Sequence, residues 1–372
     1  MPFSILCKDP CSGARTGMLT LAHGLVETPC FMPVGTHATV KAMRTRDLEQ
    51  IGVGLILANA YHLFLRPGRE VIEKAGGLHC FMGWPHNILT DSGGFQIFSL
   101  APLCKIEDEG VHFRSHVDGS AHHLSPEDVV EFETVLGSDV LMPLDVCTAP
   151  GIPRIEAEEA ARRTTEWLAR SKRKWMASAV AGKNELFGIM QGNFYRDLRA
   201  ASAKGIVDLD LPGYAIGGLS VGEEFKVFQE FLHYSAGLLP IEKPRYLMGI
   251  GTPEYILEAV EAGIDLFDCV FPTRTARNAL VFTRDGPLSI RNEGNRLDFR
   301  PIDEDCLCDT CQNHSRSYLR HLFKSREILA AMLATVHNLA FIQALVQGIR
   351  ASILRGSFPS YKREFLARYT AG

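Results

Sequence analysis

Eight times along the chain a short apolar run ends in polar or glycine residues. The runs are PCFMPVG (29–35), GLILANAYH (54–62), NILTDSGG (87–94), DVLMPLDVC (139–147), ELFGIMQGN (185–193), GYAIGGLS (213–220), PRYLMGIG (244–251) and IDLFDCV (264–270). Their apolar character is nearly continuous rather than alternating, as expected of parallel strands buried on both faces. Helix-like segments lie between them, at 46–51 after Thr45, at 69–75 after a Pro-Gly start, and at 125–136. In the last of these Ser125 is a natural N-cap, with Pro126 in the first turn and acids near the positive end of the dipole. A long helical stretch covers 156–177, and Thr252-Pro253-Glu254 opens another in the manner of Ser125. Strand alternating with helix eight times predicts a (β/α)8 barrel occupying 1–372 as one α/β domain. A doubly wound open sheet is the runner-up.

In a barrel the C-terminal strand ends converge on one face. Those ends supply Asn59, Tyr61 and His62, then Asp91, Ser92, Gly93 and Gly94, then Asp145 and Cys147. Gln191, Asn193, Gly217, Gly218, Ser220, Met248, Gly249 and Asp268 complete the ring. The eighth end is the most pointed. Pro272 stops the strand because it brings no N–H for a ladder, and Thr273, Arg274, Thr275 and Arg277 follow as a cationic, hydroxyl-rich loop. Asp268 there could merely cap a turn, but beside two guanidiniums it suggests a nucleophile or base next to a phosphate-binding surface. Two stretches interrupt the barrel. One is 95–124, in which VHFRSHVDGS reads as a hairpin with an Asp-Gly turn, and the other is 277–300.

Composition narrows the compartment more than the function. The chain has 372 residues, 46% hydrophobic and 22% charged, which is ordinary for a soluble globular protein. It has no run of eighteen apolar residues and no basic-then-apolar N-terminus, so a cytoplasmic chain with no membrane span or secretion signal is expected. Net charge is −4, but the nine Lys/Arg and two Asp/Glu after Cys311 leave that end at +7 and the remainder at −11. A basic end can offer a local surface to a polyanion.

Seven of the ten cysteines are scattered, whereas Cys306, Cys308 and Cys311 form a tight trio. Thiolates at this spacing suit a tetrahedral zinc with a fourth N or S ligand. His314, His321 and His337 are all candidates by spacing. A closed set of three cysteines and one histidine leaves no open position, so the metal would be structural, in a zinc-binding subdomain over 289–350.

Nine ordered motifs carry a resemblance: TPCFMPVGT, ANAYHLFLRPG, LTDSGGFQIFSL, LDVCTAP, FGIMQGN, YAIGGLSVGE, RYLMGIG, DLFDCVFPTRTARN, and CLCDTC followed by His337. With these the chain resembles the bacterial-type tRNA-guanine transglycosylases over essentially its whole length. The resemblance implies a pentosyltransferase that exchanges guanine at the wobble position of tRNA for 7-aminomethyl-7-deazaguanine, in queuosine biosynthesis. It implies double displacement at ribose C1′ with no redox cofactor. Asp268 would be the nucleophile and Asp91 the general acid/base. Asp145 would accept from the purine N1–H and amine, Gln191 and the Gly218 N–H would donate to O6, and Phe95 and Met248 would sandwich the base. Ser92, Gly93, Gly94, Cys147, Gly217, Leu219 and Glu223 complete the implied base pocket. Gly249, Ile250, Gly251, Thr252, Pro253, Glu254 and Tyr255, with Thr273, Arg274, Thr275, Ala276 and Arg277, would grip an anticodon loop carrying a uridine-guanine-uridine triplet. The resemblance also implies one zinc on Cys306, Cys308, Cys311 and His337, and a homodimer. Three carboxylates in one pocket would repel, so one is expected to hold a proton.

Many bacterial members have an acidic residue where this chain has Val146, which bears on how the peptide near Leu219 is held. Eukaryotic relatives, which use the bulkier queuine, tend to have glycine in place of Val221 and to lack Cys147. Two other classes are disfavoured. A metal-dependent hydrolase barrel lacks ligands, since the strand ends supply only His62. A non-catalytic RNA-binding subunit would not need both Asp91 and Asp268.

Overall fold

The computed structural model describes residues 3–94, 96, 104–178 and 181–371. The eight expected runs are its eight parallel strands: β1 (Cys30–Pro33), β2 (Leu55–Asn59), β3 (Asn87–Asp91), β4 (Val140–Leu141), β5 (Glu185–Met190), β6 (Gly213–Ile216), β7 (Arg245–Leu247) and β8 (Leu266–Cys269). From β2 onward each pairs in parallel with the next in sequence, and β8 pairs back onto β1. The remaining β1–β2 edge is joined by a parallel bridge between Val34 and Leu57 and by the Gly35 N–H on the Leu57 carbonyl at 2.6 Å. The sheet is therefore a barrel, not an open doubly wound sheet. β4 keeps only two residues of its nine-residue apolar run, because Pro143 has no N–H to continue the ladder.

The continuous apolar runs divide by the period of two. Met32, Leu55, Leu57, Leu89, Val140, Phe187, Ile189, Ala215, Tyr246 and Leu266 pack together inside. Phe31, Ile56, Ile88, Leu141, Leu186, Tyr214, Leu247 and Phe267 pack outward against the helices. An N-terminal antiparallel sheet (Phe3–Lys8, Arg15–Leu21, Gly24–Thr28) closes the bottom, adding Phe3, Leu19, Leu21 and Val26 to the inner cluster. This sheet has no counterpart in the sequence pattern. The buried Arg15 guanidinium pairs there with the buried Asp265 carboxylate.

The helices at Thr45–Gln50, Arg69–Lys74, Pro126–Leu136 and Arg154–Met176 lie where the pattern places them. Ser125 caps as expected: its Oγ accepts the Asp128 N–H at 3.1 Å while Asp128 accepts the Ser125 N–H at 2.9 Å. Thr252 sits at the equivalent position of Pro253–Glu261 but makes no side-chain capping bond. Within 95–124 the described part is a three-stranded antiparallel sheet (Cys104–Glu107, Gly110–Arg114, Ala121–Leu124) with its turn at Asp118-Gly119. The helix Ile328–Leu354 is long and apolar enough by composition to cross a membrane, with a mean hydropathy of 1.7, although it contains no unbroken run of eighteen apolar residues. It is a core helix here, 61% of its most apolar window being buried. Asn338 and Gln343 on it serve the backbone of the barrel and of the following hairpin.

Candidate active site

β8 ends with Leu266 inward, Phe267 outward and Asp268 inward again, at the mouth of the barrel. One carboxylate oxygen of Asp268, Oδ1, accepts the Tyr246 phenol at 2.6 Å and the Gly249 N–H at 2.9 Å. Both donors come from β7 or the turn just after it. Among the described residues the other oxygen, Oδ2, has no partner. Burial raises the Asp268 pKa, and these two hydrogen bonds oppose the rise without cancelling it.

Asp91 closes β3. Its Oδ2 accepts the Asn59 amide at 2.9 Å from the adjacent β2, and the same amide also reaches Gln96 at 2.9 Å. Burial first, then the charges of Asp145 and Asp268, push Asp91 up to about 7. Asp145 lies beyond β4, 7% exposed, and its Oδ2 accepts the Gln191 amide at 2.7 Å from the end of β5. Burial lifts it to about 6 against that bond. The chain of the Asp91 loop runs hard against this carboxylate. A Cβ on Gly94 would stand 2.0 Å from Asp145 Oδ1, so only glycine fits there. Cys147 is buried beside the acids, its thiol pushed up to about 12 by desolvation and then by the charges of Asp145 and Asp91, so it lines the pocket as a neutral group.

β6 delivers Gly217 and Gly218, the latter at φ +65°, in the left-handed region that favours glycine. Beyond them the Glu223 carboxylate accepts the Ser220 N–H and, at 2.9 Å, the Val221 N–H. Because C=O and N–H of a trans peptide point oppositely, Glu223 turns the Leu219 carbonyl away from itself. Val146 faces the other way, packed in the layer of Tyr61, Val111, Leu144 and Trp167. The pocket keeps two orphan polar atoms: Ser92 Oγ and Gln191 Oε1 are buried with no hydrogen-bond partner among the described residues. Such atoms are uncommon in a finished interior and mark a place for a polar ligand. Met248 is half-buried at the mouth. Phe95 lies outside the described residues.

The expected RNA-gripping residues divide by exposure. Pro272 does not open a loop but stands in the first turn of a short helix, Phe271–Arg277. Thr273 and Thr275 are buried in it, their hydroxyls returned to the Val270 and Phe271 carbonyls at 3.1 and 2.9 Å. Ala276, Ile250, Gly251 and Pro253 are also buried, so their side chains offer nothing to a polymer. Arg274 and Gly249 are exposed, and Thr252, Glu254, Tyr255 and Arg277 are half-buried. Neither Arg274 nor Arg277 pairs with a carboxylate among the described residues, and Arg277 Nη1 is a buried donor with no partner. Tyr61 and His62 belong to a helix (Ala60–Leu65) capped by Asn59, and Tyr61 is packed against Phe113, away from the acids. Sequence reasoning passed over Tyr246, although it stands two residues before Met248 and so on the same face of β7.

Away from the mouth, the ligand atoms of Cys306, Cys308, Cys311 and His337 lie within 4.8 Å of one another. His337 Nδ1 is 3.7 Å from Cys308 Sγ and 3.2 Å from Cys311 Sγ, close to the ~3.5–3.8 Å edges of a tetrahedron built from zinc–ligand bonds. The other ring nitrogen, Nε2, donates to the Phe282 carbonyl at 2.7 Å, which leaves the Nδ1 lone pair facing the thiols. This set could hold a metal ion. His314 instead stacks on Tyr318, and His321 is exposed, so neither of the local candidates enters the cluster. Two weaker clusters, His23 with His79 and Asp139 and His233 with Glu258 and Glu261, lie elsewhere.

The sequence model of the family described as queuine tRNA-ribosyltransferase matches residues 9–371. A curated protein of that name from Treponema denticola is 52% identical over 99% of this chain and 97% of its own length. One from Caldanaerobacter subterraneus subsp. tengcongensis is 51% identical over 99% and 97%, and one from Symbiobacterium thermophilum is 49% identical over 100% and 92%.

Proposed function

The chain belongs to the queuine tRNA-ribosyltransferase family, and on that premise we propose how its pocket performs the exchange of guanine in tRNA. The protein is a pentosyltransferase of the queuosine pathway. Asp268 attacks C1′ of the target ribose through Oδ2, the oxygen left free while Tyr246 and Gly249 hold Oδ1. The C1′–N9 bond breaks, and the Asp91 carboxyl gives its proton to the departing guanine. A carboxyl pushed up to about 7 still holds that proton in neutral solution about half the time. The product of this half-reaction is a glycosyl ester on Asp268. The incoming base then loses its proton to Asp91 and displaces the ester, which restores both carboxyls.

Asp145 reads the purine N1–H and amine, while Gln191 and the Gly218 N–H donate to O6. The incoming base is 7-aminomethyl-7-deazaguanine: its ammonium meets the Leu219 carbonyl, which Glu223 orients through the Ser220 N–H. The β-branched Val221 fills the space that a cyclopentenediol would need, which argues against queuine itself. Arg274 and Arg277 take phosphates of the anticodon loop, which carries a uridine-guanine-uridine triplet; reaching its wobble base costs little because that base is unpaired. The cysteine–histidine set takes a structural zinc, in a subdomain over 289–350 of an otherwise single barrel domain. We place the enzyme in the cytoplasm, where its tRNA substrate is made, as a homodimer.

The observation that carries this reading is the convergence of three acids, each raised by burial, one of them with a free oxygen at the mouth. Incubation with unmodified tRNA followed by a denaturing gel tests it. The wild type should give a tRNA adduct and Asp268→Asn none. Asp91→Asn should slow exchange of labelled guanine by the order of 10²–10⁴-fold typical of general acid–base catalysis. An adduct in Asp268→Asn would remove that residue as the nucleophile.

A further inference from the structure

The most deeply buried charge near the pocket belongs to a residue that the reaction scheme does not use. Arg199, on the helix Arg196–Val207 that follows β5, is fully buried. Among the described residues no carboxylate pairs with it. Its partners are carbonyl oxygens: Nε donates to Asn193 at 2.7 Å, both Nη atoms donate to Gly217 at 3.2 Å, and Nη2 also donates to Gly218 at 3.3 Å. Burial lowers its pKa to about 10, against the pull of the Glu223 charge, so the guanidinium is charged at any working pH. Burying a cation with no counter-charge is costly. A fold that needed only to fill this space could do so with an apolar side chain.

What the guanidinium holds is informative. The Gly217 carbonyl belongs to the same peptide unit as the Gly218 N–H, and the Gly218 carbonyl to the same unit as the Leu219 N–H. In a trans peptide the two groups point oppositely. By gripping both carbonyls, Arg199 turns the two consecutive N–H groups away from itself, with Gly218 in the left-handed conformation between them. Successive N–H groups arranged in this way form a concave donor pair suited to an anionic or strongly accepting atom. Glu223 does the converse one peptide later, fixing the Ser220 N–H and so presenting the Leu219 carbonyl. Gln191 lies against the same turn, since a Cβ on Gly218 would meet its Oε1 at 2.8 Å.

We propose that Arg199 is a positioning residue for base recognition: it fixes the Gly217–Leu219 turn so that the Gly218 and Leu219 N–H groups face the 6-oxo group of the purine. The proposal rests on the assignment of that turn to the base pocket. It does not depend on which carboxylate attacks C1′.

The test is equilibrium binding of guanine and of 6-thioguanine to the full-length, zinc-loaded protein by calorimetry. The two bases share the N1–H and the amine and differ only in the 6-atom, sulfur being the weaker acceptor. The wild type should prefer guanine. In Arg199→Met guanine affinity should fall about tenfold and thioguanine affinity less than threefold, so that the preference collapses. In steady state the KM for the base should rise while the KM for tRNA stays within twofold. Equal losses for both bases, or an equal rise in both KM values, would mark general damage to the loop and overturn the proposal. If Arg199→Met does not fold, Arg199→Lys decides: an ammonium cannot span both carbonyls, and the guanine preference should fall at least threefold. An unchanged preference in the lysine variant overturns it as well. Because binding needs no turnover, the guanine preference is read without regard to which carboxylate attacks C1′, which keeps this outcome separate from that of the nucleophile.

Discussion

Desolvating three acids in one pocket makes the stability of the fold depend on pH in a direction opposite to the usual carboxylate effect. Asp91 is held at about 7 where an ordinary aspartate is near 3.8. The folded chain therefore binds a proton that the unfolded chain releases. Its contribution to stability is fully present below pH 4 and is lost as pH rises through 7. A three-unit difference corresponds to at most about 4 kcal/mol. Of this, the part lost above pH 5 is at most about 2.7 kcal/mol, and because Asp91 is half-buried at an open mouth, where water and side-chain adjustment reduce the penalty, about 1–2 kcal/mol is the size expected between pH 5 and 8. Asp91→Asn removes this term. Asp145 and Asp268 remain, so the variant should still lose stability over the same range, but by that much less. The measurement is urea unfolding of both proteins at intervals from pH 5 to pH 8.5, with zinc present throughout. The amide cannot reproduce both hydrogen bonds to the carboxylate, from the Asn59 amide and the Gly93 N–H, a cost that does not vary with pH and cancels in the slope. The difference between variant and wild type should move in favour of the variant by about 1–2 kcal/mol between pH 5 and 8 and then level off. A flat difference, or one that moves in favour of the wild type, would mean that Asp91 is ionised in the resting protein.

Three further outcomes are expected. Cys308→Ser and His337→Ala should each lose bound zinc by elemental analysis and lower the melting temperature, whereas His314→Ala should keep a full complement; full occupancy in His337→Ala would return the fourth ligand to the other histidines. Tyr246→Phe removes a donor to Asp268, so its acid limb of activity should move to higher pH and exchange should slow about tenfold; an unshifted pH profile would leave the phenol with no part in holding the carboxylate. Val221→Gly should admit queuine while sparing the aminomethyl base, read from steady-state exchange with each; efficient use of queuine by the wild type would defeat the steric argument.

What could be read in the sequence follows from what burial does to a pattern. Strands covered on both faces have no polar positions to break them, and all eight barrel runs stood out for that reason. The N-terminal sheet did not. Its first strand, FSILCK, alternates in burial, but Leu6 stands 60% exposed on the outer face, so the four residues SILC read as one mixed run and the alternation is hidden. Its second begins with Arg15, which reads as a surface residue until Asp265, 250 positions away, is found beside it. Pro272 was legible as the end of a strand but not as the start of a helix, because the same missing N–H serves both. In the pocket the three acids were legible because strand ends in a barrel converge. Arg199 was not, since in YRDLRAASAKG it is one of several charges on an amphipathic helix and works only through backbone atoms. The buried threonines of Phe271–Arg277 show the same limit in reverse: their hydroxyls suggested a phosphate surface and in fact close the helix's own carbonyls.

An acidic pocket that must receive a polyanion poses an electrostatic problem, and the fold separates its parts by depth. The acids lie at the ends of the strands, where desolvation raises all three, so that near neutral pH the cluster carries less than its formal charge. The guanidiniums of Arg274 and Arg277 lie on the helix Phe271–Arg277 that follows Asp268, with no carboxylate to neutralise them among the described residues. Pairing them with acids, as most surface arginines of this chain are paired, would have cancelled a local field of the right sign. Moving the acids outward into water would have ionised Asp91 and left it without a proton to give. On the proposed mechanism, burial that destabilises the resting protein is therefore the same burial that would let one carboxylate act as an acid and an RNA backbone come within reach of another.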